Sequence, residues 1–392
     1  MSSIGIVSFG LDDRWIGGRY YLQHLIKSVR ALPAAEQLPM ADVWWQQEPS
    51  IDPFAEVRLE LERRIVIHLP SNLLSRLRRK IRRTIKGIDD ARDLFEEMNV
   101  GVLFPILPCE SPGVPYVFWL PDFQYKHLPH LFDEKLMKWF NDQYESNVAK
   151  SDLVMLSSQH ALRDFQSFFP AHKEKARVVH FCSVPDNDWW LTNPIDAARA
   201  HGITGPYFIV SNQFSEHKNH TIVFEAIRLL KKRGLKVKIV CTGNKFCFQN
   251  ESYFAGVESF IRDNDLSSQV NILGMIPRAE QVALIRGAVA VLQPSQFEGW
   301  STAVEDAKTL GKTLLVSDIE VHREQLGDHG QSYLKVDDAE SWAEAMHQAW
   351  IAGAPGPDPN AEAVALKQLA ARQLAYARDL ISVMREAMSI PK

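Results

Sequence analysis

Short apolar runs alternate with stretches in which apolar residues recur every three or four positions, along nearly the whole chain. Unbroken apolar strands are covered on both faces, and helical connections between them make the sheets parallel, so the pattern predicts an α/β architecture. A first series places strands at 4–9, 64–68, 101–104, 116–120, 153–157 and 176–181, with a helix over 20–32. Residues 182–206 include SVPDNDWWLTNP and show little periodicity, which reads as a linker. A second series places strands at 207–211, 236–242, 270–273, 289–292 and 312–316 and helices at 220–234 and 257–264. From 337 onward the pattern is helical, broken by AGAPGPDPN near residue 355. A chain of 392 residues suits two such domains.

Composition excludes several classes. The formal net charge is −4, so the whole chain offers no electrostatic case for nucleic acid. No apolar run reaches the roughly 18 residues that span a bilayer. The N-terminal MSSIGIVSFG reads as a buried strand without the basic segment and cleavage site of a signal peptide, pointing to a cytoplasmic protein. Four cysteines, Cys109, Cys182, Cys241 and Cys247, show no zinc spacing and read as buried free thiols.

One segment departs from the neutral whole. LLSRLRRKIRRTIKGI at 73–88 carries seven basic residues, with Leu73, Leu77, Ile81, Ile85 and Ile88 at helical spacing. A basic amphipathic helix suits an anionic membrane surface, as a peripheral attachment. A solvated helix packed by its apolar stripe is the alternative. Nucleic acid fits less well, because no aromatic residues are interleaved with the charge.

The densest chemistry lies in FEGWSTAVEDAKTLGK at 297–312. The apolar run at 289–292 leads into it and a helical pattern leads out. Carboxylates at that place are costly to desolvate without a partner or ligand. Ligands of open α/β sheets bind beyond the carboxyl ends of strands, where helix N-termini favour anions. Thr302 and Glu305 have the spacing of a capping box, which gives Glu305 a structural task. Glu298 and Asp306 remain for a ligand, with Gly299 allowing close approach of the backbone. Carboxylates accept paired hydroxyl hydrogen bonds, as sugar and ribose diols require.

SQFEGW at 295–300, followed by Asp306, Gly311, Ser317 and Asp318, resembles the E-x7-E region of retaining GT-B glycosyltransferases of family four, the glycosyl transferases group 1 type. The second acidic position is Asp306 here rather than Glu. The resemblance extends over nearly the whole chain. It implies a GT-B fold, two Rossmann-like domains facing a central cleft. The N-terminal domain (1–182) would take the acceptor and the C-terminal domain (207–370) the nucleotide-sugar. Residues 183–206 would link them, and a helix at 371–392 would cross back to the first domain. By the same resemblance Glu298 contacts the donor sugar and Asp306 the ribose. Gly299, Trp300, Ser301 and Thr302 belong to the same donor loop.

Other segments carry the resemblance further. WIGGRY at 15–20 looks like a glycine loop in which Gly17 and Gly18 approach the donor. NQFSEHKNH at 212–220 looks like the diphosphate-binding segment, with Asn212, Gln213 and Lys218 as contacts. Lys218 would neutralise the leaving diphosphate. Gln213 is neutral where many relatives carry Arg; either it donates a weaker hydrogen bond, or another cation such as Arg14 or Arg19 compensates. TGN at 242–244 and LGMI at 273–276 look like nucleotide-side loops, giving Gly243, Gly274 and Met275. PYVFWLPDFQYKH at 115–127 matches the acceptor-facing segment, where Pro121 occupies the usual His position and Asp122 is kept. Asp122 would orient or deprotonate the acceptor hydroxyl, with Gln124 and His127 as further acceptor contacts. Ser157 and Ser158 are read first as helix caps. Asp186-Asn-Asp188 and Asp263-Asn-Asp265 have a DxD spacing that a different glycosyltransferase fold uses for metal. In a chain with 48 acidic residues such triplets arise by chance, and the expectation is no cofactor and no metal.

The expected function is retaining sugar transfer from a nucleotide-sugar to a saccharide or polyprenyl-diphosphate-linked saccharide, in surface-polysaccharide synthesis such as O-antigen or capsule. Two rivals stand beside it. Gln213 and Pro121 favour a degenerate GT-B domain acting as a binding or scaffold subunit. A GT-B-like epimerase would need acid and base residues that the sequence does not supply.

Overall fold

The computed structural model describes residues 2–8, 16–45, 52–67, 95–105, 113–247, 249–327, 332–353 and 355–391. The basic segment 73–88, Arg14 and Cys109 lie outside them. The chain divides into two compact units. Unit 1 holds residues 1–122, 138–182 and 371–392, and unit 2 holds 123–137 and 183–370. The sheets are parallel and the architecture is the expected α/β type, one Rossmann-like unit after another.

In unit 1, β1 (Ser3–Val7), β2 (Met40–Trp45), β3 (Arg63–Ile67) and β4 (Val100–Phe104) form a sheet in the order β3-β2-β1-β4. β5 (Val117–Trp119), β6 (Leu153–Leu156) and β7 (Ala176–Val178) form a second sheet, reached through a parallel bridge from Leu103 to Tyr116. Helix α1 (Ile16–Arg30) follows β1. β2 is absent from the sequence-based reading because Asp42 interrupts its apolar run. Asp42 is completely buried and is held by Ser8 Oγ at 2.6 Å, Arg58 at 3.1 Å and Arg64 at 3.0 Å. Burial nevertheless raises its pKa, outweighing both guanidinium groups.

Helix α2 (Gln124–His127) lies in unit 2, so this part of the expected acceptor segment does not belong with the first unit. Helix α3 (Glu134–Lys150) follows, and α4 (Gln159–Phe168) comes after β6. Ser158 caps α4, accepting the Ala161 N–H at 3.0 Å, while Ser157 Oγ accepts the Trp119 indole N–H at 3.2 Å.

In unit 2, β8 (Phe208–Ser211), β9 (Ile239–Thr242), β10 (Val270–Gly274), β11 (Val291–Gln293), β12 (Leu314–Ser317) and β13 (Ser332–Leu334) pair in the order β10-β9-β8-β11-β12-β13. Counted within the unit this is 3-2-1-4-5-6, the doubly wound order, and β8 and β11 flank the point where it reverses. Alternate side chains go to opposite faces. Phe208, Val210, Ile239 and Cys241 face α6 (His220–Lys232), α7 (Tyr253–Asp263) and α11 (Ala339–Ala352). Ile209, Val240, Val291 and Val316 face α5 (Pro194–Ala200), α8 (Arg278–Gly287) and α9 (Thr302–Thr309).

The segment 183–206 is folded rather than a bare connection. Asn193 caps α5 by accepting the Ile195 N–H at 2.8 Å, and Pro194 takes the first helical position. Trp189 is buried with Ala197 and Ala198 in the unit 2 core. Arg278 lies over the Trp189 ring at 4.8 Å and Arg286 over Trp190 at 4.9 Å. Cys182, Cys241 and Cys247 are buried free thiols. No described helix is long and apolar enough to cross a membrane.

Helix α12 (Pro359–Ser389) contributes its last part to unit 1. Tyr376, Leu380 and Met384 are buried there. Tyr376 meets Tyr21, which stacks on Trp119 at 3.8 Å and meets the edge of Phe181 at 5.2 Å. Arg378 pairs with Glu36 at 2.7 Å, and Arg177 pairs with Glu386. Replacing Tyr376 by Ala should remove ring packing from a closed aromatic group and lower unit 1 stability by about 3 kcal/mol. A urea midpoint equal to that of the unchanged protein would show that α12 does not hold this core.

Candidate functional site

The carboxyl ends of β8 and β11 bring the central residues together. β8 runs out into Asn212, Gln213 and a short 3-10 turn, Glu216–Lys218, before α6. β11 runs out into Pro294, Ser295 and Glu298 before α9. Lys218 Nζ donates to Glu298 Oε1 at 2.7 Å and to Oε2 at 2.8 Å. Lys218 is 15% exposed and Glu298 7%. A pair this sheltered is an ionic site set into the switch point of the sheet.

The two loops are sewn together by backbone and amide groups. The Gln296 N–H donates to the His217 carbonyl at 2.8 Å. Asn219, left-handed at φ 56°, donates from Nδ2 to Pro294 O at 3.2 Å and Val336 O at 2.8 Å. Asn tolerates this conformation better than most residues, so it suits the corner that aims Lys218. Asn212 Nδ2 donates to Gln293 Oε1 at 2.7 Å, and Gln293 Nε2 donates to Glu298 Oε1 at 2.8 Å. Gln213 is exposed and turns to Ser215 Oγ at 3.0 Å. Gly243 has φ 132°, and a Cβ there would stand 2.2 Å from the Asn212 carbonyl oxygen. Only glycine lets the β9 loop lie against Asn212. Its N–H donates to Gly274 O at 2.9 Å, which ties the β9 and β10 loops together.

The start of α9 differs from the expected capping box. Ser301 is the N-cap, accepting the Val304 N–H at 3.4 Å, so Thr302 is the first helical residue. Gln325 on α10 (Glu320–Leu326) clamps this end: it accepts the Ser301 N–H and donates to the Ser301 carbonyl, each at 3.1 Å. Glu305 is buried, takes Lys308 at 2.9 Å and Gln325 at 3.2 Å, and so is structural by a different route. Asp306 is also buried and accepts from Arg278 Nη2 at 2.6 Å. Arg278, Gln293 and Gln325 were missed in the sequence because each lies outside the recognised motifs.

The remaining candidates are distributed as follows. Gly299 is buried and Trp300 half-buried in the β11 loop. Gly274 is buried and Met275 beside it is 55% exposed. Gly17 and Gly18 open α1 in unit 1, where Gly17 is exposed and Gly18 buried. Asp122 ends the first stretch of unit 1 and is half-buried. Gln124 and His127 lie on α2 in unit 2, and the His127 ring stacks on Phe297 at 4.9 Å, one residue from Glu298.

Three histidines sit around the ion pair. Burial, reinforced by the Lys218 charge, lowers His217 well below its ordinary value and His220 to about 3. Burial also lowers His322, although Glu298 acts against it. His220 stacks on Phe214 at 4.2 Å, and His322 Nδ1 lies 2.9 Å from the Ser317 carbonyl oxygen.

A base with a lower pKa when folded binds fewer protons folded than unfolded. Stability therefore rises with pH from about 3 to 6.5 for His220 and falls as acid is added below 6.5. Melting temperature should drop steadily over that interval. His220→Phe, which keeps the stacking, should flatten the dependence. An equally steep profile in the variant would remove His220 from the account.

Residues 195–352 match the family described as glycosyl transferases group 1. A putative glycosyltransferase EpsF of Bacillus subtilis (strain 168) is 28% identical over 160 residues, covering 40% of this chain and 39% of that protein. The match thus spans about two fifths of that relative. Among solved structures, a glycosyltransferase from Rickettsia africae ESF-5 superposes with a TM-score of 0.67 at 11% identity, covering 100% of this chain and 99% of that one. Anabaena Alr3699/HepE in complex with UDP and glucose gives 0.65 at 13% identity, with 98% of each chain covered. WaaG, a glycosyltransferase involved in lipopolysaccharide biosynthesis, gives 0.58 at 14% identity, with 98% of each chain covered. At these identities the structures establish a shared fold, the GT-B fold expected above.

Proposed function

We propose that the protein is a retaining glycosyltransferase fed by a nucleotide-sugar, a reading supported by the match of residues 195–352 to the glycosyl transferases group 1 family. The observation that carries this reading is the sheltered Lys218–Glu298 pair at the switch point of a doubly wound sheet. An ammonium there can take a leaving diphosphate, and a carboxylate beside it can take sugar hydroxyls. The UDP and glucose bound by the Anabaena structure support a ligand of this class.

In this reading Lys218 neutralises charge as the bond to the diphosphate breaks, and the sugar becomes oxocarbenium-like. Glu298 faces that sugar. The departing phosphate accepts the proton of the acceptor hydroxyl on the same face, so the reaction retains configuration without a strong protein base. Asp122 orients the acceptor, with Gln124 and His127 as further contacts. The stacking of His127 on Phe297 supports placing an acceptor contact near Glu298. Asn212, Gln213, Gly243, Gly274, Met275, Gly299, Trp300, Ser301 and Thr302 line the donor side. Asp306 takes the ribose, sharing its carboxylate with Arg278. No metal is required, since Lys218 and helix N-termini supply the positive charge.

A hexose donor and a saccharide or polyprenyl-diphosphate-linked acceptor fit this reading. Surface-polysaccharide synthesis is the setting we favour, in line with the lipopolysaccharide role stated for WaaG. Attachment to the inner face of the membrane through residues 73–88 belongs to the same proposal.

Donor binding can be read directly. In thermal shift without metal, one of UDP, GDP, dTDP, ADP or CMP should raise the melting temperature, and Lys218→Ala should abolish the rise. Absence of any shift would favour a non-catalytic scaffold. The two acidic neighbours on α9 should separate. Asp306→Ala should weaken nucleotide binding about tenfold. Glu305→Ala should cost about 1–3 kcal/mol of stability and leave binding close to unchanged. The reverse order would transfer the ribose role to Glu305.

A further inference from the structure

Glu298 has a second hydrogen-bond donor to which the reading above gives no role. Gln293, the last residue of β11, is completely buried. Its Nε2 donates to Glu298 Oε1 at 2.8 Å and to Ser295 Oγ at 3.1 Å. Its Oε1 accepts from Asn212 Nδ2 at 2.7 Å. Asn212 directly follows β8, whose Ile209 pairs with Val291 of β11. The amide chain therefore bridges the two strands at which the sheet order reverses. Its direction is fixed by chemistry: turned over, Gln293 would set its carbonyl against the Glu298 carboxylate and its NH2 against the Asn212 NH2.

The geometry points to Gln293 as a positioning residue for Glu298, oriented by Asn212 and acting on the sugar half of the donor. This rests on the reading that Glu298 faces that sugar. A diphosphate carries more negative charge than one carboxylate and draws the Lys218 ammonium toward itself. Glu298 is only 7% exposed, and a buried carboxylate that loses its donors swings away toward other partners. The neutral Gln293 amide cannot follow the diphosphate, because Asn212 holds its other end. It keeps Oε1 in place. Oε2, bonded to Lys218 in the structure, is then released to accept a sugar hydroxyl.

The inference predicts a loss confined to the sugar. Gln293→Met removes the amide at similar volume, and Gln293→Glu keeps the shape but sets a second carboxylate against Glu298. Both are compared with the wild type by calorimetric titration with UDP, GDP, dTDP and ADP and with their glucose, galactose, mannose and N-acetylglucosamine conjugates. In each variant the nucleoside diphosphate should bind within about twofold of wild type, while the best conjugate weakens about tenfold to a hundredfold. Equal weakening of both ligands would make Gln293 merely structural and overturn the inference. So would an unchanged affinity for the conjugate. If the Met variant does not fold, the Glu variant carries the same comparison. A wild type that binds no nucleoside diphosphate would overturn the donor reading and this inference with it, an outcome distinct from a variant that keeps sugar recognition.

Discussion

A glutamate paired with a lysine at 7% exposure must be solvated by protein groups, and much of the second unit's loop structure meets that need. Lys218 supplies the opposite charge and Gln293 a neutral donor. Each is held from behind. Lys218 stands on a turn fixed by the left-handed Asn219, whose amide reaches Pro294 and Val336. Gln293 is fixed by Asn212. Gly243 then becomes obligatory, because nothing larger fits against the Asn212 carbonyl. The chain of dependence runs from one buried carboxylate to a glycine in the loop after a neighbouring strand.

The sheet explains why this can be built at all. Parallel strands end together at one edge, and at the reversal point the helices depart to opposite faces. The loops after β8 and β11 are thus left side by side without a helix between them. Two polar residues at those strand ends, Asn212 and Gln293, fill the gap with a hydrogen bond instead of side-chain bulk. The histidines around the pair are kept neutral by burial and by Lys218, so they add polarity without competing for the carboxylate.

Fold and site were unequally legible in the sequence. Strands such as β8 and β9 were found because both faces are covered, giving unbroken apolar runs. β2 was lost because its central Asp42 is buried among arginines distant in sequence. The segment 183–206 read as a linker because its tryptophans are not periodic. Yet Asn193-Pro194 is an ordinary helix start, and Trp189 and Trp190 are held by Arg278 and Arg286 from another helix. Cation–π pairing at that separation leaves no local pattern.

Glu298 stood out because charge at a strand end is unusual and carries its own signal, and Lys218 through the resemblance of its segment to a diphosphate-binding loop. The Thr302–Glu305 box failed because spacing alone does not say which hydroxyl starts the helix; Gln325, arriving from α10, stabilises a start at Ser301 instead. Gln293 was invisible for a related reason. It ends an apolar strand, and a neutral amide in such a place gives no hint of purpose until its partner from another strand is seen. A pair of charges marks where a site is, while the neutral groups that set its geometry are legible only once the strands have been brought together.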